Sequence, residues 1–439
     1  MQDYINKLKA DGELQRVEGE VDPQYELAAV TKKAQLRSDD AVLFKKVKNT
    51  DFSVVTNLFS SRRRLCELIR AKDGRFCPAW NKLLNETASM SADPTRQVAV
   101  PVDLVSGKLS DLPLITYHGK DAGPYFTSAI YLAKDPDTRV PNLSFHRSMF
   151  VSDDELRIRL GTTHDLAKYQ RRAEQKDEAL EAALLIGVSP AMFMAASTSI
   201  PTDWSELTLA SRIAGEAIET YPAKTVDLEI PVAAQIVVEG RILAHERRPE
   251  GPFGEFLGYY VPEENNHVFE VTSVYWHRDA IFHSILCGSS EDLTLLETVT
   301  AAKMYRHLHQ VLPGIIDVSC SPAFMNTTIK IKQQHEGHAR QVILAAFGAD
   351  LDYNKAVFVV DEDVDITDMN EVMWAFLTRG RVDKRTLVID DVPGFYRDPH
   401  KDHWGRLGID ATMPFGREAE FERKAVPGEA DIDLEDYFK

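Results

Sequence analysis

The spacing of apolar residues changes character twice along this chain, and those two changes constrain its fold more than any single motif does. Up to about residue 95 helical and strand patterns alternate. Residues 2–13 place Tyr4, Ile5 and Leu8 on one helical stripe that Gly12 stops. Leu14–Val17, 41–47 and 52–59 read as strands, and SSRRRLCELI at 60–69 as the start of a capped helix. From 96 to 125 proline and glycine interrupt short apolar runs, as in connecting and pocket-rim segments. The next stretch is strand-heavy. Residues 128–136 and 142–151 are strand-like, 165–175 helical, 181–197 a strand followed by a turn, and 206–218 helical. VAAQIVVEGRIL at 232–243 is another strand, and 267–286 predicts a hairpin turning at His277–Ala280. After about 291 the texture becomes αβαβ, with helices at 294–313 and 337–351 and strands at 327–333 and 384–392. The expectation is a mixed α+β chain: an α/β region at 1–95, a barrel or folded-over sheet at 96–300, and a second α/β unit at 301–439.

A length of 439 residues supports that division, because a single hydrophobic core stops growing well below this size. The formal charge of −17 disfavours a phosphate-backbone binder, so no nucleic-acid partner is expected. Cys66, Cys77, Cys287 and Cys320 form no C-x-x-C pair and read as reduced, buried thiols rather than a zinc cluster or a disulfide scaffold. The first residues lack the apolar run of a signal peptide, and no stretch of about 18 apolar residues suggests a transmembrane helix. A cytoplasmic location is the expectation.

Chemistry concentrates in three places. Glu250-Gly251-Pro252-Phe253-Gly254-Glu255 runs into Phe256-Leu257-Gly258-Tyr259-Tyr260. Two glycines and a proline make a constrained turn that can hold two carboxylates together, and carboxylates in an apolar cleft have raised pKa values. A solvated surface turn is the plain competing reading. In Asn142-Leu143-Ser144-Phe145-His146-Arg147, strand alternation aims Asn142, Ser144 and His146 one way and Arg147 the other, unless the strand bends at its end. The arginine suits a bidentate clamp on a carboxylate, and the Asn142 amide oxygen suits a hard metal. His164 and Glu206 both sit at predicted helix starts, the first behind Thr162 or Thr163 as cap. Taken singly, each is more often a cap-region or first-turn residue than a ligand.

Other patterns fail their tests. His335-Glu336-Gly337-His338 has the wrong spacing for H-E-x-x-H and reads as polar surface. The run from Asp361 resembles a calcium loop but has Ile366 where the turn glycine belongs, and fits a strand end plus helix cap. No Walker loop, dinucleotide fingerprint or nucleophile elbow is present in the sequence.

Together, EGPFGEFLGYY at 250–260, NLSFHR at 142–147, the His164-Asp165 and Glu206 regions in order, and VVDEDVDITDMNEVMWA at 359–375 resemble the UbiD family of reversible decarboxylases. The likeness runs from FSSRRR at 59–64 into the 390s. It implies an N-terminal α/β domain, a central split β-barrel that binds flavin, and a C-terminal α/β domain that makes subunit contacts. It further implies prenylated FMN supplied by a flavin prenyltransferase, a divalent ion, usually manganese, with potassium nearby, and a homodimer or a larger assembly of dimers. By the same resemblance Asn142, His164 and Glu206 are the metal ligands, and Arg147, Glu250 and Glu255 the catalytic set. Phe145, His146 and Arg147 line the cofactor, while Arg159, Leu160, Gly161, His164 and Asp165 approach its phosphate and ring.

The implied reaction is loss of CO2 from an aromatic, heteroaromatic or α,β-unsaturated carboxylic acid through covalent adduct formation with prenylated FMN. Such chemistry belongs to the cofactor, because an sp² carbanion otherwise has no electron sink. In that reading Arg147 orients the carboxylate and Glu255 donates the proton. The competing readings are a plain FMN oxidoreductase on the same barrel and a noncatalytic flavin-binding scaffold.

Overall fold

The first sheet forms where the sequence predicts strands, but one of its members comes from far along the chain. The computed structural model describes residues 1–439 except 90–93, 162–163, 351–352, 396–402, 435–436 and 438–439. Helix Gln2–Ala10 buries Tyr4, Ile5 and Leu8, and Gly12 follows it at φ +77°. Strands Leu14–Val21, Ala41–Val47 and Ser53–Thr56 line up in that order, and Ile281–His283 adds to Ser53–Thr56 in parallel. The expected hairpin over 267–286 is therefore corrected. The strand Glu264–His277 stays in the central sheet, while Ile281–His283 crosses into the N-terminal one. Ile281, Phe282 and His283 are all buried, at 7%, 1% and 1% exposure. This strand is the end member of that sheet, with Ile281 packed in one buried cluster and Phe282 in another, so both of its faces are covered.

The central sheet is built on two long antiparallel strands, Ile236–Glu250 and Glu264–His277. Their register slips at Glu239/Gly240 and again between Ile242 and Arg247. Each slip bends the pair and increases its twist. At Gly240 a Cβ would lie 2.1 Å from the carbonyl oxygen of Glu270, so the bend requires glycine. The hydrogen-bonded order runs from Tyr125–Phe126 through Ser148–Ser152, Glu155–Ile158, the two long strands, Leu180–Ile186 and Ile130–Lys134 to Pro141–Phe145. Its first and last members are the two lips of a seam. The chain crosses that seam in two residues, His146 and Arg147, between Phe145 of the last member and Ser148 of the second, which pairs with the first. Three Cα–Cα steps span at most about 11 Å, so the lips must lie close and the sheet must curl into a split barrel. The bend that strand alternation left open falls at this crossing.

The segment expected to be a strand and turn at 181–197 is a strand followed by helix Pro190–Ala196, whose Ser189 side chain accepts a hydrogen bond from the Met192 amide. The 22-residue helix Ser290–Val311 runs across the expected boundary at 300 and leads into a five-stranded sheet. That sheet is ordered Ile315–Ser319, Asn326–Ile331, Ala356–Val360, His403–Asp410, Thr386–Pro393, with helices His338–Ala349 and Met369–Arg379. His338 is fully buried at the start of its helix, which corrects the surface reading of that motif for this residue, whereas His335 is exposed. The acidic run from Asp361 does form a strand end and cap. Asp368 accepts from the Asn370 amide, and Arg379 pairs with Asp361 at 3.1 Å and Asp363 at 2.6 Å. All four cysteines are free thiols. Among the described residues, no helix is long and apolar enough to cross a membrane. One cluster of buried side chains runs from Ile5 and Phe59 through Phe193 and Leu209 to Ile343 and Val359, so the three regions share a continuous core.

Candidate active site

The seam puts Arg147 against Glu250, the last residue of the barrel's longest strand, Ile236–Glu250. Its Nε and Nη2 donate to Oε1 and Oε2 of Glu250 at 3.0 and 2.9 Å, a bidentate clamp with Glu250 only 1% exposed. Two more donors close on the same carboxylate, Tyr125 OH to Oε1 at 2.9 Å and Asn266 Nδ2 to Oε2 at 2.8 Å. The guanidinium lies 4.7 Å from the Phe253 ring centre, and the Tyr125 ring, tilted against Phe253, has its centre 4.4 Å from it. Burial and the Glu250 charge push the Tyr125 hydroxyl well above its ordinary value, so it donates rather than ionises. Neither Tyr125 nor Asn266 carried a signal in the sequence. Both are ordinary strand residues until the fold sets them against Glu250.

Glu255 follows in the tight loop and is also buried, at 6% exposure. The loop is closed by Glu255 N–H to the Tyr259 carbonyl at 3.0 Å and Gly258 N–H to the Glu255 carbonyl at 2.9 Å, with Gly258 at φ +84°. Gly254 sits so close to His118 that a Cβ would be 2.4 Å from the imidazole Nδ1. The reading of 250–255 as a solvated surface turn is thereby excluded. A third carboxyl, not singled out in the sequence, stands beside it. Asp292 is pushed up to about 6, chiefly by burial and further by the charges of Glu255 and Glu291. The Gly288 amide donates to it at 2.7 Å. Burial also raises the Cys287 thiol, which feels Asp292, Glu255 and Arg147 and stays neutral.

A second polar group occupies the other side of His146. Asn142 Nδ2 lies 3.1 Å from Glu206 Oε1, and the Leu143 amide donates to Glu206 Oε2 at 2.8 Å. Ser144 Oγ is 2.9 Å from both Asn142 Oδ1 and His146 Nε2. His146 Nδ1 faces the Arg159 carbonyl at 3.1 Å and must donate to it, which leaves Nε2 an acceptor. Burial holds His146 well below its ordinary pKa, with the neighbouring His164 adding to the effect. With Asn142 Oδ1 and His146 Nε2 both facing Ser144, its single hydroxyl hydrogen would be claimed by two acceptors. Rotating the Asn142 amide by 180° resolves this: Nδ2 then donates to Ser144, and Ser144 to His146. Asn142 Oδ1 and a Glu206 oxygen then converge. Two hard oxygens facing each other need a proton on the carboxyl or a cation between them. Glu206 is 3% exposed, has no Lys or Arg within ion-pair distance among the described residues, and is pushed up to about 8 by burial. The donor set thus fits a bound divalent ion.

The remaining expected residues fall around these two groups. Phe145 is half-buried, edge-on to Phe193 at 4.9 Å. Arg159 donates to Asn266 Oδ1 at 3.1 Å and so ties this side to the Glu250 clamp. Leu160 is buried, and a Cβ on Gly161 would meet the His164 ring at 3.2 Å. His164 is the N-cap of helix Asp165–Glu174, exposed, with its ring 5.3 Å from that of His146. Asp165 pairs with Lys168 at 2.6 Å and adds its charge to the rise at Glu206. The suggested caps Thr162 and Thr163 lie outside the described residues. Among the described residues, no three His, Cys, Asp or Glu side chains cluster as a metal site; Asn142 with His164 and Glu206 supplies only two of those types.

Known proteins match this arrangement over its whole length. Three family models cover the chain: the 3-octaprenyl-4-hydroxybenzoate carboxy-lyase N-terminal domain at 5–83, its Rift-related domain at 91–290 and its C-terminal domain at 293–411. Anhydromevalonate phosphate decarboxylase of Methanothermobacter thermautotrophicus is 30% identical over 96% of this chain and 99% of its own. The UbiD-class enzyme HmfF from Pelotomaculum thermopropionicum, solved in complex with FMN, superposes with a TM-score of 0.93 at 34% identity, covering 100% of this chain and 99% of that one. The vanillic acid decarboxylase of Sedimentibacter hydroxybenzoicus in its open form gives 0.86 at 26% identity, covering 98% and 96%. The chain belongs to the UbiD family of prenylated-FMN-dependent (de)carboxylases and is a non-oxidative carboxy-lyase.

Proposed function

We propose that this enzyme removes CO2 reversibly from a small aromatic, heteroaromatic or α,β-unsaturated carboxylic acid, with Arg147, Glu250 and Glu255 as its working groups. The observation that carries the proposal is the clamp at the barrel seam, where Glu250 fixes Arg147 bidentately five residues before a second buried glutamate. Arg147 Nη1 takes no part in that clamp and is the edge offered to a substrate carboxylate. Bound prenylated FMN would supply the electron sink for the charge left when CO2 departs. Glu255 then delivers a proton to the carbon that carried the carboxylate, and in carboxylation removes one from it. Asp292, with its pKa at about 6, lies close enough for its charge and that of Glu255 to oppose each other, which favours keeping a proton in the pair.

Phe145, His146, Arg159, Leu160, Gly161, His164 and Asp165 would surround the cofactor, with Asn142, Glu206 and His164 holding a divalent ion, manganese by family resemblance, against its phosphate. The converging oxygens of Asn142 and Glu206 support that reading, and the N-terminus of helix Asp165–Glu174 suits a phosphate. Assembly into dimers through the C-terminal unit is supported by exposed apolar side chains there. Leu377 is 73% exposed, and Val388 and Leu407, 61% and 36% exposed, are cross-strand partners on one face. The three regions would act as domains at 1–95, 96–300 and 301–439. The relatives named for anhydromevalonate phosphate and for vanillic acid bracket the acids to try first.

The test is release of labelled CO2 from a panel of carboxyl-labelled acids, using enzyme prepared anaerobically with a flavin prenyltransferase and with manganese and potassium salts present. Turnover of at least one unsaturated or aryl acid, abolished in Glu255→Gln while flavin stays bound, is the expected result. Unchanged turnover in Glu255→Gln would overturn the proton-donor assignment.

A further inference from the structure

The loop that carries Glu255 is held from outside the barrel. Phe256, the next residue, packs edge-on against Phe324 at 5.0 Å and against Phe395 at 5.7 Å. Tyr353 lies 5.0 Å from Phe324 and 5.1 Å from Phe395, so four rings form a closed circuit. Three of the four belong to the C-terminal unit. Phe324 and Phe395 are 1% and 5% exposed.

Phe324 reaches Phe256 from an unusual backbone. Ala323 and Phe324 have φ values of +63° and +34°, a region that residues bearing a Cβ rarely adopt. Such conformations persist only where the surroundings enforce them, and they cluster at functional sites. Here the enforcing contact is the Ala323 amide, which donates to Glu297 Oε1 at 2.6 Å. Glu297 lies on helix Ser290–Val311, the helix that also carries Asp292. The turn before that helix presses on the catalytic loop from another side. A Cβ on Gly288 would lie 3.3 Å from Phe256 Cα and 3.6 Å from the Glu255 carbonyl oxygen. One helix therefore fixes both Asp292 beside Glu255 and the segment that delivers Phe324 to Phe256.

We infer that Phe324 is a positioning residue for Glu255: acting through Phe256, it makes proton delivery depend on the C-terminal unit being docked. The inference rests on the assignment of Glu255 as proton donor for its catalytic consequence, but its structural half does not. Replacing Phe324 by alanine opens the ring circuit without touching the Arg147–Glu250 clamp.

Hydrogen–deuterium exchange on the full-length chain tests the structural half without any cofactor. In Phe324→Ala the amides of Glu255 and Gly258 should exchange about ten-fold faster or more, while those of the strand Ile236–Glu250 stay as in the parent. Phe324→Leu, which keeps apolar volume, should restore most of the protection and guards against a variant that fails to fold. In loaded enzyme, Phe324→Ala should lower kcat about ten-fold or more with KM within about two-fold, while exchange of labelled bicarbonate into the acid persists, because the lesion lies in protonation and not in carbon–carbon cleavage. Unchanged exchange at Glu255 and Gly258, or exchange raised equally along the whole chain, would overturn the positioning role. Loss of bicarbonate exchange in step with turnover would overturn the link to protonation. Inactivity of the parent on every acid would instead count against the proposed function and leave the exchange result standing.

Discussion

Replacing Glu250 by glutamine probes the seam most sharply, because it keeps the shape and removes the charge. The carboxylate receives four donors, two from Arg147 and one each from Tyr125 and Asn266. A glutamine side chain keeps one acceptor oxygen and turns an NH2 toward two of those donors. Arg147 is left with 12% side-chain exposure and no counter-charge at that edge. Two opposite charges about 4 Å apart attract by about 4 kcal/mol at an effective dielectric constant of about 20. Removing one partner of a buried pair costs about 3–5 kcal/mol for the same reason. Glu250→Gln should therefore lose about 3–5 kcal/mol in urea unfolding followed by tryptophan fluorescence. Tyr125→Phe, which removes a single bond to the charged group, should lose about 1.5–3 kcal/mol. Because Arg147 no longer has one fixed orientation, turnover should fall about 100-fold in Glu250→Gln. A Glu250→Gln protein within about 1 kcal/mol of the parent, and less affected than Tyr125→Phe, would refute the argument by showing that the clamp is not an ion pair.

Three further outcomes follow from the same geometry. Burial raises Asp292 from its ordinary 3.8 to about 6, so its contribution to stability is present below pH 3.8 and is lost as pH climbs to about 6. That rise corresponds to about 3 kcal/mol. Asp292→Asn should remove that contribution, so the stability difference between variant and parent, from denaturation curves, should change by about that amount between pH 4 and 7. Asn142→Ala and Glu206→Ala should each lower bound divalent ion, read by elemental analysis of dialysed protein, and weaken flavin retention, read by absorbance after gel filtration. Gly240→Ala places a methyl 2.1 Å from the Glu270 carbonyl oxygen and should cost about 1–3 kcal/mol or more, measured as a lowered unfolding midpoint.

The strand-heavy middle and the αβαβ end were legible because hydrophobic periodicity is local. The residues of 250–255 left a carboxylate pocket and a solvated turn both open, and only the burial of Glu250 and Glu255 in the fold decides between them. The destination of Ile281–His283 was not legible. Short apolar runs look alike whether they close a hairpin or join another sheet, and only the available edge beside Ser53–Thr56 decides it. Arg147 was recognisable as a clamp, but its direction depended on the break at His146–Arg147, which the curl of the whole barrel imposes. Tyr125, Asn266 and Asp292 escaped notice for a third reason. Each acquires its role from a partner distant in sequence, Glu250 for the first two and Glu255 for the last. His338 looked like surface because its neighbours are polar, yet the helix it begins turns it inward.

The central claim is most directly tested by the mass of the small molecule released from protein co-expressed with an active flavin prenyltransferase and kept anaerobic. The account predicts a mass matching prenylated FMN, lost together with the divalent ion in Glu206→Ala. Plain FMN, or no flavin at all, from a preparation in which the prenyltransferase is demonstrably active would contradict it and favour an oxidoreductase or a scaffold on the same barrel.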